Sequence, residues 1–570
     1  MRFLSPSERA LTQAISNLAY CNPFLPERIR LEKEILGDDF VEVDTVWSKR
    51  PDQIPTEEPN VDRIIPRVET LAESLLERLA AGASPAPEAL QLYEDLVLFL
   101  LFHRYHTRFR DLLAGAARGK PSCVRAPFYR DFVGDMERFL YDGLRGASWR
   151  GAADGVRESG PTPRASAEEA RAVEGGGTEG PERLAKSDVR DRRFGPPHVF
   201  ACFFQIRRAF YHIFENIIGG SMPMAQLRAA VWQSIFSHDL RRYRRALYDR
   251  MADITCLVTG ESGTGKELVA RAIGLARYVP FDPQTESFTD ELDGSFYPLN
   301  LSALSPTLIE SELFGHRRGA FTGALQDRAG WFEVCPPLGT VFLDEIGEIE
   351  AAIQVKLLRV IETRIFQRIG DTRERRFPGK IISATNRDLA GDIRAGRFRE
   401  DLYYRLCSDR IVTPTLRRRL SDSPDALPNL VLYIAQRVTN EEEAGPLAQE
   451  VVEWIDKNLG LAYPWPGNFR ELEQCVRNVM IRKDYRPLSR AARDPAEEII
   501  DLVRNGSLTA EDLLRRYCTL VYASAGGNCQ EAARRLGLDH RTVKSKIDPD
   551  LLAAYRGEAQ ETSTGSSGHS

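Results

Sequence analysis

Gly260, Glu261, Ser262, Gly263, Thr264, Gly265, Lys266 and Glu267 follow the apolar run ITCLVT (254–259) and precede the helical LVARAIGLA. Glycines at 260, 263 and 265 let a backbone turn its amides around a phosphate. Lys266 adds a positive charge at a helix start, where the dipole already favours anions. The expected chemistry is phosphate binding. Such loops usually end in a Ser or Thr whose hydroxyl reaches magnesium; Glu267 stands there instead, so a metal must rely on other groups. Downstream, GTVFLDEIGE runs apolar residues into Asp344 and Glu345, two carboxylates at a strand end. Asp344 is the candidate to hold magnesium through water, and Glu345 to polarise a water toward a γ-phosphate. An acidic pair at a strand end is by itself commonly a solvated turn. Downstream of a phosphate loop it makes ATP hydrolysis the expected reaction, with ATP and magnesium as cofactors.

A second stretch has no obvious structural purpose. In ESELFGHRRGAFTGA (310–324), Gly319, Ala320, Phe321, Thr322, Gly323 and Ala324 set one large apolar side chain between glycines. Neither helix nor strand propensity would hold it there.

The elements that must position these residues are legible in the texture of the chain. ITCLVT, TVFLDE (340–345) and KIISAT (380–385) alternate with helical stretches, the pattern of a parallel sheet covered by helices. Residues 1–146 read as a helical N-terminal region: Val68, Leu71, Leu75, Leu76 and Leu79 share one helical face. Residues 147–197 are rich in Gly, Pro, Ala and charge, and read as a disordered linker or insertion. A helical segment, 198–224, either belongs to the N-terminal region or stands apart from it. Then come an α/β subdomain (225–415), a helical lid (416–483), a polar connector (484–510), a compact helical segment (511–553) and a disordered tail (554–570).

Six motifs, GESGTGKE, ESELFGHRRGAFTGA, GTVFLDEIGE, SATNRDL, FREDLYYRL and YPWPGNFRELE, occur in the same order as in the AAA+ ATPase domain of bacterial enhancer-binding proteins, the activators of sigma-54 RNA polymerase. Residues 225–483 resemble that domain. Glu267 is also what that family carries after the loop lysine. The resemblance implies a multidomain protein: an α/β AAA+ P-loop core with a helical lid, a helical N-terminal region and a C-terminal helix-turn-helix. It implies that Asn386 senses the γ-phosphate, that Asn300 holds the catalytic glutamate away from water, and that Arg470 is a second sensor in the lid. Arg399 and Arg405 match the arginines such rings insert into a neighbour's site; read without the resemblance, FRED suggests a solvated ion pair. A homo-oligomer, a hexameric ring, follows from that match. The segment Gly319–Ala324 is then a contact for the sigma-54 holoenzyme, tied at both ends to the nucleotide site. Two stretches depart from the family: DPQTESFTDELDG (282–294) is longer and more acidic, and TPTLRRRLSDSPDALPNL (413–430) is altered.

Near the C-terminus three helices are expected, with Asn528 as N-cap and Glu531 completing a capping box, Gly537 as breaker and Asp539 as a second cap. The segment resembles the Fis-type helix-turn-helix. Between Glu511 and Ile547 seven Lys/Arg face four Asp/Glu, a balance of +3 where the whole chain is −5. His540, Arg541, Thr542, Lys544 and Lys546 would lie on or near a helix that reads enhancer-like double-stranded DNA. A helical hairpin used for dimerisation is the alternative.

The N-terminal region offers no alternation of strands and helices with acidic strand ends, so a phosphoreceiver is not expected. His103 and His106 in HRYH have metal-pair spacing, but partly buried histidines on an apolar helix are the plainer reading. Nine scattered cysteines with no Cys-x-x-Cys argue for a reducing compartment. No signal peptide or membrane span is apparent, and a cytoplasmic address is expected. The reading that combines these features is a DNA-binding activator that uses ATP hydrolysis to remodel the sigma-54 polymerase closed complex. Its rivals are a regulator that ignores sigma-54 and an AAA+ remodeller of another protein.

Overall fold

The computed structural model describes residues 3–42, 59–118, 124–142, 195–288, 296–460, 463–487, 495–504, 506, 508–549, 551, 552 and 555. The linker expected at 147–197 lies outside these except for its last three residues, as do the tail other than Tyr555 and positions 289–294 of the acidic stretch. The chain divides into two compact units, Met1–Ile481 and Arg482–Ser570.

The first unit opens with helices α1 (Pro6–Tyr20), α2 (Pro26–Leu36), α3 (Pro59–Ala80), α4 (Pro87–Arg118) and α5 (Tyr129–Met136). Apolar positions at helical spacing, such as Ile64, Val68, Leu71 and Leu75 on α3, bury against Leu96, Val97, Leu100 and Leu101 of α4 in one core. Helix α6 (Pro196–Asn216) begins two residues before the expected 198, because a proline is welcome in a first helical turn, where its missing amide has no partner to lose. Helix α7 (Met222–Phe236) follows.

Five parallel strands then form the central sheet: β1 (Cys256–Thr259), β2 (Phe296–Asn300), β3 (Thr340–Asp344), β4 (Lys380–Thr385) and β5 (Asp409–Val412), in the order β5-β1-β4-β3-β2. Val341, Phe342, Leu343, Ile381 and Ile382 are fully buried because helices cover both faces. Pro298 is tolerated in β2 because that strand is an edge. Helix α8 (Lys266–Leu275) follows β1, α9 (Pro306–Phe314) follows β2, and α10 (Ala351–Thr363) follows β3. The lid comprises α11 (Leu416–Asp422), α12 (Ala426–Val438), α13 (Glu441–Asn458) and α14 (Asn468–Arg482).

Helix α6 belongs to both halves of this unit. Its Phe200 and Phe204 join the N-terminal core, where they meet Phe281 and Phe288 at ring-centroid distances of 4.7 and 4.0 Å. Those two phenylalanines sit on a small antiparallel ladder, Phe281–Asp282 with Ser287–Phe288, in the stretch after α8 that departs from the family. Backbone bonds from Ala126 N to Glu286 O (2.9 Å) and from Phe288 N to Val124 O (3.1 Å) dock the ladder on the N-terminal region. Each buried ring contributes roughly 2–3 kcal/mol of apolar transfer. On its other side, α6 closes the C-terminus of α8. Gln205 Nε2 donates to Ala276 O (2.9 Å), and Arg208 donates to Leu275 O (2.5 Å) and Arg277 O (3.2 Å), carbonyls that a helix end leaves unpaired.

The second unit contains α15 (Pro495–Arg504), α16 (Ala510–Ser524), α17 (Cys529–Leu536) and α18 (His540–Lys546). The connector expected at 484–510 is therefore helical in part. Its apolar residues Ile499, Ile500, Leu502 and Val503 sit among charged ones, which conceals the period in so short a segment.

Candidate functional site

Three strand ends gather the chemistry. The loop 260–265 leaves β1, Glu345 follows β3 and Asn386 follows β4, so all three meet at the carboxyl edge of adjacent parallel strands, where ligands bind in such sheets. Gly260, Gly263 and Gly265 take φ of 154°, 77° and 90°, values costly to any other residue. Two of them also lack room for a side chain. A Cβ on Gly260 would stand 2.1 Å from Thr413 Oγ1, and one on Gly263 would stand 2.4 Å from Gly467 O.

Lys266 Nζ donates to Gly260 O (3.1 Å) and Glu261 O (3.3 Å) and lies 3.9 Å from Glu345 Oε1. Burial lowers its pKa, while Glu345 and Asp344 pull the other way. Burial raises that of Asp344 against the pull of Lys266. Both groups thus sit where their charge is costly unless something ionic joins them, as a phosphate and a hydrated divalent cation would. Glu345 has a left-handed backbone, φ 55° and ψ 50°, a conformation that costs a non-glycine residue about 1–3 kcal/mol. Its Oε2 accepts from Asn386 N at 3.2 Å, so the carboxylate spans Lys266 and the end of β4.

The lid closes on the loop from the other side. Arg470 Nη1 donates to Ser262 Oγ (3.1 Å), Phe469 N to Gly263 O (3.0 Å), and Asn468 Nδ2 to Glu261 Oε2 (3.1 Å) and Ser262 O (3.0 Å). Asn468 and Thr413 were not among the expected site residues. Asn468 is buried at φ 53° and its Oδ1 also accepts from Leu416 N (2.8 Å), so it pins the lid junction to the loop. The only sequence signal was its place inside WPGNFRELE. Thr413, paired with Thr264 Oγ1 at 2.7 Å, begins the altered stretch 413–430.

Other expected residues lie elsewhere. Asn300 is level with Asp344 in the ladder, but its Oδ1 accepts from Ser302 N (3.0 Å) and Ser302 Oγ (2.8 Å), capping the short turn after β2. Glu345 here rests on Lys266 and Asn386, not on Asn300. Glu267 stands 3.7 Å from Arg271 one helical turn on. Arg399 pairs with Asp401 at 2.7 Å and Arg405 with Glu362 at 3.1 Å, all about half exposed. Within one chain both arginines are surface ion pairs.

Residues 315–330 fold back as a hairpin whose base pairs Gly315–His316 with Arg328–Ala329. At its tip, Gly319 N donates to Ala324 O (2.8 Å) and Ala324 N to Phe321 O (3.0 Å), with Gly319 and Gly323 at φ 80° and 100°. Phe321 leans edge-on against His316 at 4.9 Å, Ala320 is half-buried and Ala324 is buried, while Thr322 is exposed. A second hairpin, 365–376, braces the first: Arg317 N donates to Ile369 O (3.0 Å) and Ile369 N to Gly315 O (2.9 Å). The tip therefore emerges from the span between Asn300 and Asp344 and stands on a rigid base.

In the C-terminal unit, Asn528 Oδ1 accepts from Gln530 N (3.0 Å) and Glu531 N (3.2 Å), but no capping box forms. Glu531 turns to Arg534 (2.8 Å) and Arg535 (2.9 Å), because two guanidinium groups within a turn outbid one backbone amide. Gly537, at φ 64°, ends α17, and Asp539 caps α18. Val543 is buried against Ala532 and Ala533, leaving His540, Arg541, Thr542 and Lys544 exposed, whereas Lys546 pairs with Glu511 at 2.9 Å.

Among the described residues no group of three or more His, Cys, Asp or Glu is placed to hold a metal, and the ring of His103 lies tilted against that of Phe99 at 4.4 Å. No described helix is long and apolar enough to cross a membrane.

Residues 236–412 match the family model of the Sigma-54 interaction domain. The Nif-specific regulatory protein of Enterobacter agglomerans is 38% identical over 305 residues, 52% of this chain and 55% of that protein. The transcriptional regulatory protein ZraR of Salmonella typhimurium is 38% identical over 307 residues, 52% of this chain and 63% of its own length. The chain thus spans between about half and just under two thirds of these curated relatives. A crystal structure of NtrX from Brucella abortus, 26% identical, covers 66% of this chain and 74% of its own with a TM-score of 0.35.

Proposed function

We propose, from the match of residues 236–412 to the Sigma-54 interaction domain, that this chain is a DNA-bound activator that hydrolyses ATP to remodel the sigma-54 polymerase closed complex into an open one. The observation that carries this reading is the hairpin 315–330. It presents Thr322 and Phe321 on a braced base, within the span that links Asn300 to the Asp344–Glu345 pair. A change at the phosphate end of β3 acts on the hairpin through that span.

In this reading the loop 260–265, Lys266 and Arg470 bind the triphosphate, and Glu345 orients the attacking water with Asn386 beside it. Asp344 would hold a magnesium ion through water, and the ion offsets phosphate charge. Arg399 and Arg405, exposed within one chain, would leave their carboxylate partners for a neighbour's site, so a hexameric ring supplies what one subunit lacks. Asn300 is free to exchange Ser302 for Glu345 as the nucleotide state changes. Lid and loop are already in contact, and a cytoplasmic protein meets both ATP and polymerase.

Thr322→Ala tests the coupling. With ATP, sigma-54 holoenzyme and promoter DNA, the variant should hydrolyse ATP at the parental rate and form almost no open complex. Normal open-complex formation would remove the hairpin from the mechanism and favour an AAA+ remodeller of another target.

The C-terminal unit is proposed to anchor the ring on DNA through Arg541, Thr542 and Lys544. Lys544→Ala removes an exposed charge and leaves the Val543 core untouched. Binding should weaken on all sequences alike, and the slope of log K against log salt should become shallower by about 1. An unchanged slope in a salt titration would place Lys544 off the phosphates.

A further inference from the structure

A cavity of about 790 Å³ opens among α1, α4, α6 and α7 of the first unit. That is the size of a small-molecule site, roughly 300–1,000 Å³. Its apolar wall is largely aromatic. Phe102 and Phe203 meet edge-on at 5.4 Å, Phe210 and Trp232 lie at 5.0 Å, and Trp232 and Phe236 at 4.4 Å.

Charged side chains of both signs also border the space, and each is held within the protein. Glu32 pairs with Arg28 at 2.7 Å, Asp95 with Arg241 at 2.6 Å and Arg244 with Glu94 at 2.7 Å. Arg110 bonds Asp111 beside it at 3.4 Å, and Arg207 is engaged as well. The neutral polar groups are spent in the same way. Tyr20 donates to Asp95 (2.8 Å), Tyr243 donates to Gln205 (2.7 Å), and Asn60 both accepts from Val41 N (2.9 Å) and donates to Val41 O (3.0 Å). A charged ligand would lose its water here and gain a partner only by breaking one of these pairs. An uncharged apolar ligand leaves every pair intact and covers the rings. Water is a poor competitor for the space, because such groups have few bonds left to offer it.

We propose that this cavity binds an uncharged, predominantly apolar small molecule, selected against ions of similar shape by the closed charge pairs of its lining. Such binding uses none of the residues at the nucleotide site, so it stands or falls apart from ATP hydrolysis.

The full-length chain is titrated with N-phenyl-1-naphthylamine, which is uncharged at neutral pH and fluoresces on leaving water. The anionic counterpart is 8-anilino-1-naphthalenesulfonate, the same skeleton with one sulfonate, and 1-naphthylmethylammonium supplies a cation, read by displacement of the neutral probe. The neutral probe should bind saturably, one per chain, the sulfonate about tenfold more weakly or worse, and the ammonium should displace nothing. Two half-buried lining positions on α4 give variants whose folding a thermal melt checks. Leu113→Arg adds a positive charge to the wall and should weaken the neutral probe, strengthen the sulfonate and so shrink the preference. Phe102→Leu keeps an apolar wall without the ring and should lower affinity for the neutral probe roughly two- to tenfold. No saturable binding of the neutral probe, sulfonate or ammonium binding as tightly as it does, or parental behaviour in both folded variants overturns the proposal. Should a variant fail to fold, the comparison of the three probes on the parent decides alone.

Discussion

Glu345→Gln should bind ATP at least as tightly as the parent and lose hydrolysis by about 10²–10⁴-fold, the usual contribution of a positioned general base. The glutamine is isosteric and keeps an oxygen to accept from Asn386 N, the bond now made at 3.2 Å. What disappears is the negative charge. Without it the carboxylate left at the end of β3 is Asp344, which this reading commits to magnesium, and Lys266, 3.9 Å from Glu345, loses a competitor for the phosphate. Equilibrium binding of a fluorescent nucleotide and phosphate release on the same sample separate the two effects. Hydrolysis within tenfold of the parent would assign the base elsewhere.

Gly260→Ala should weaken nucleotide binding through packing and backbone strain together. The new methyl would lie 2.1 Å from Thr413 Oγ1, 3.1 Å from Thr413 O and 3.3 Å from Thr264 Oγ1, at a φ of 154°. Overpacking of this kind costs about 1–3 kcal/mol and backbone strain a similar amount. Together these correspond to an affinity loss of roughly thirty-fold or more. Adding Thr413→Ala removes the closest atom but neither the carbonyl nor the strain, so it should restore only part of the affinity. Full affinity in Gly260→Ala alone would show that the loop does not sit against β5 as described.

The glycine loop 260–265, the acidic pair and strands β1, β3 and β4 were legible because each strand is an apolar run ending in an unusual polar group. Strands β2 and β5 were not. They are the sheet edges, and Pro298, Asn300, Asp409 and Arg410 interrupt their apolar pattern. The acidic stretch after α8 looked like solvated surface, yet Phe281 and Phe288 within it are buried. Their partners Phe200 and Phe204 lie far earlier in the chain, and no local pattern announces a long-range pair. Asn468 was hidden for a similar reason, since its value comes from bonding two segments, Glu261–Ser262 and Leu416, that only the fold brings together. Arg399 and Arg405 are an opposite case. Their motif is plain in sequence, and one chain gives them nothing to act on but Asp401 and Glu362.

The cap that α6 places on α8 bears on how this protein could be divided or recombined. A chain cut after residue 219 would leave the carbonyls of Leu275, Ala276 and Arg277 without Gln205 and Arg208, and would expose Phe281 and Phe288 to water. The N-terminal helices are in that sense a wall of the α/β domain, not an appended module. Exchange of this region between related proteins should succeed only when the phenylalanine arm after α8 travels with it.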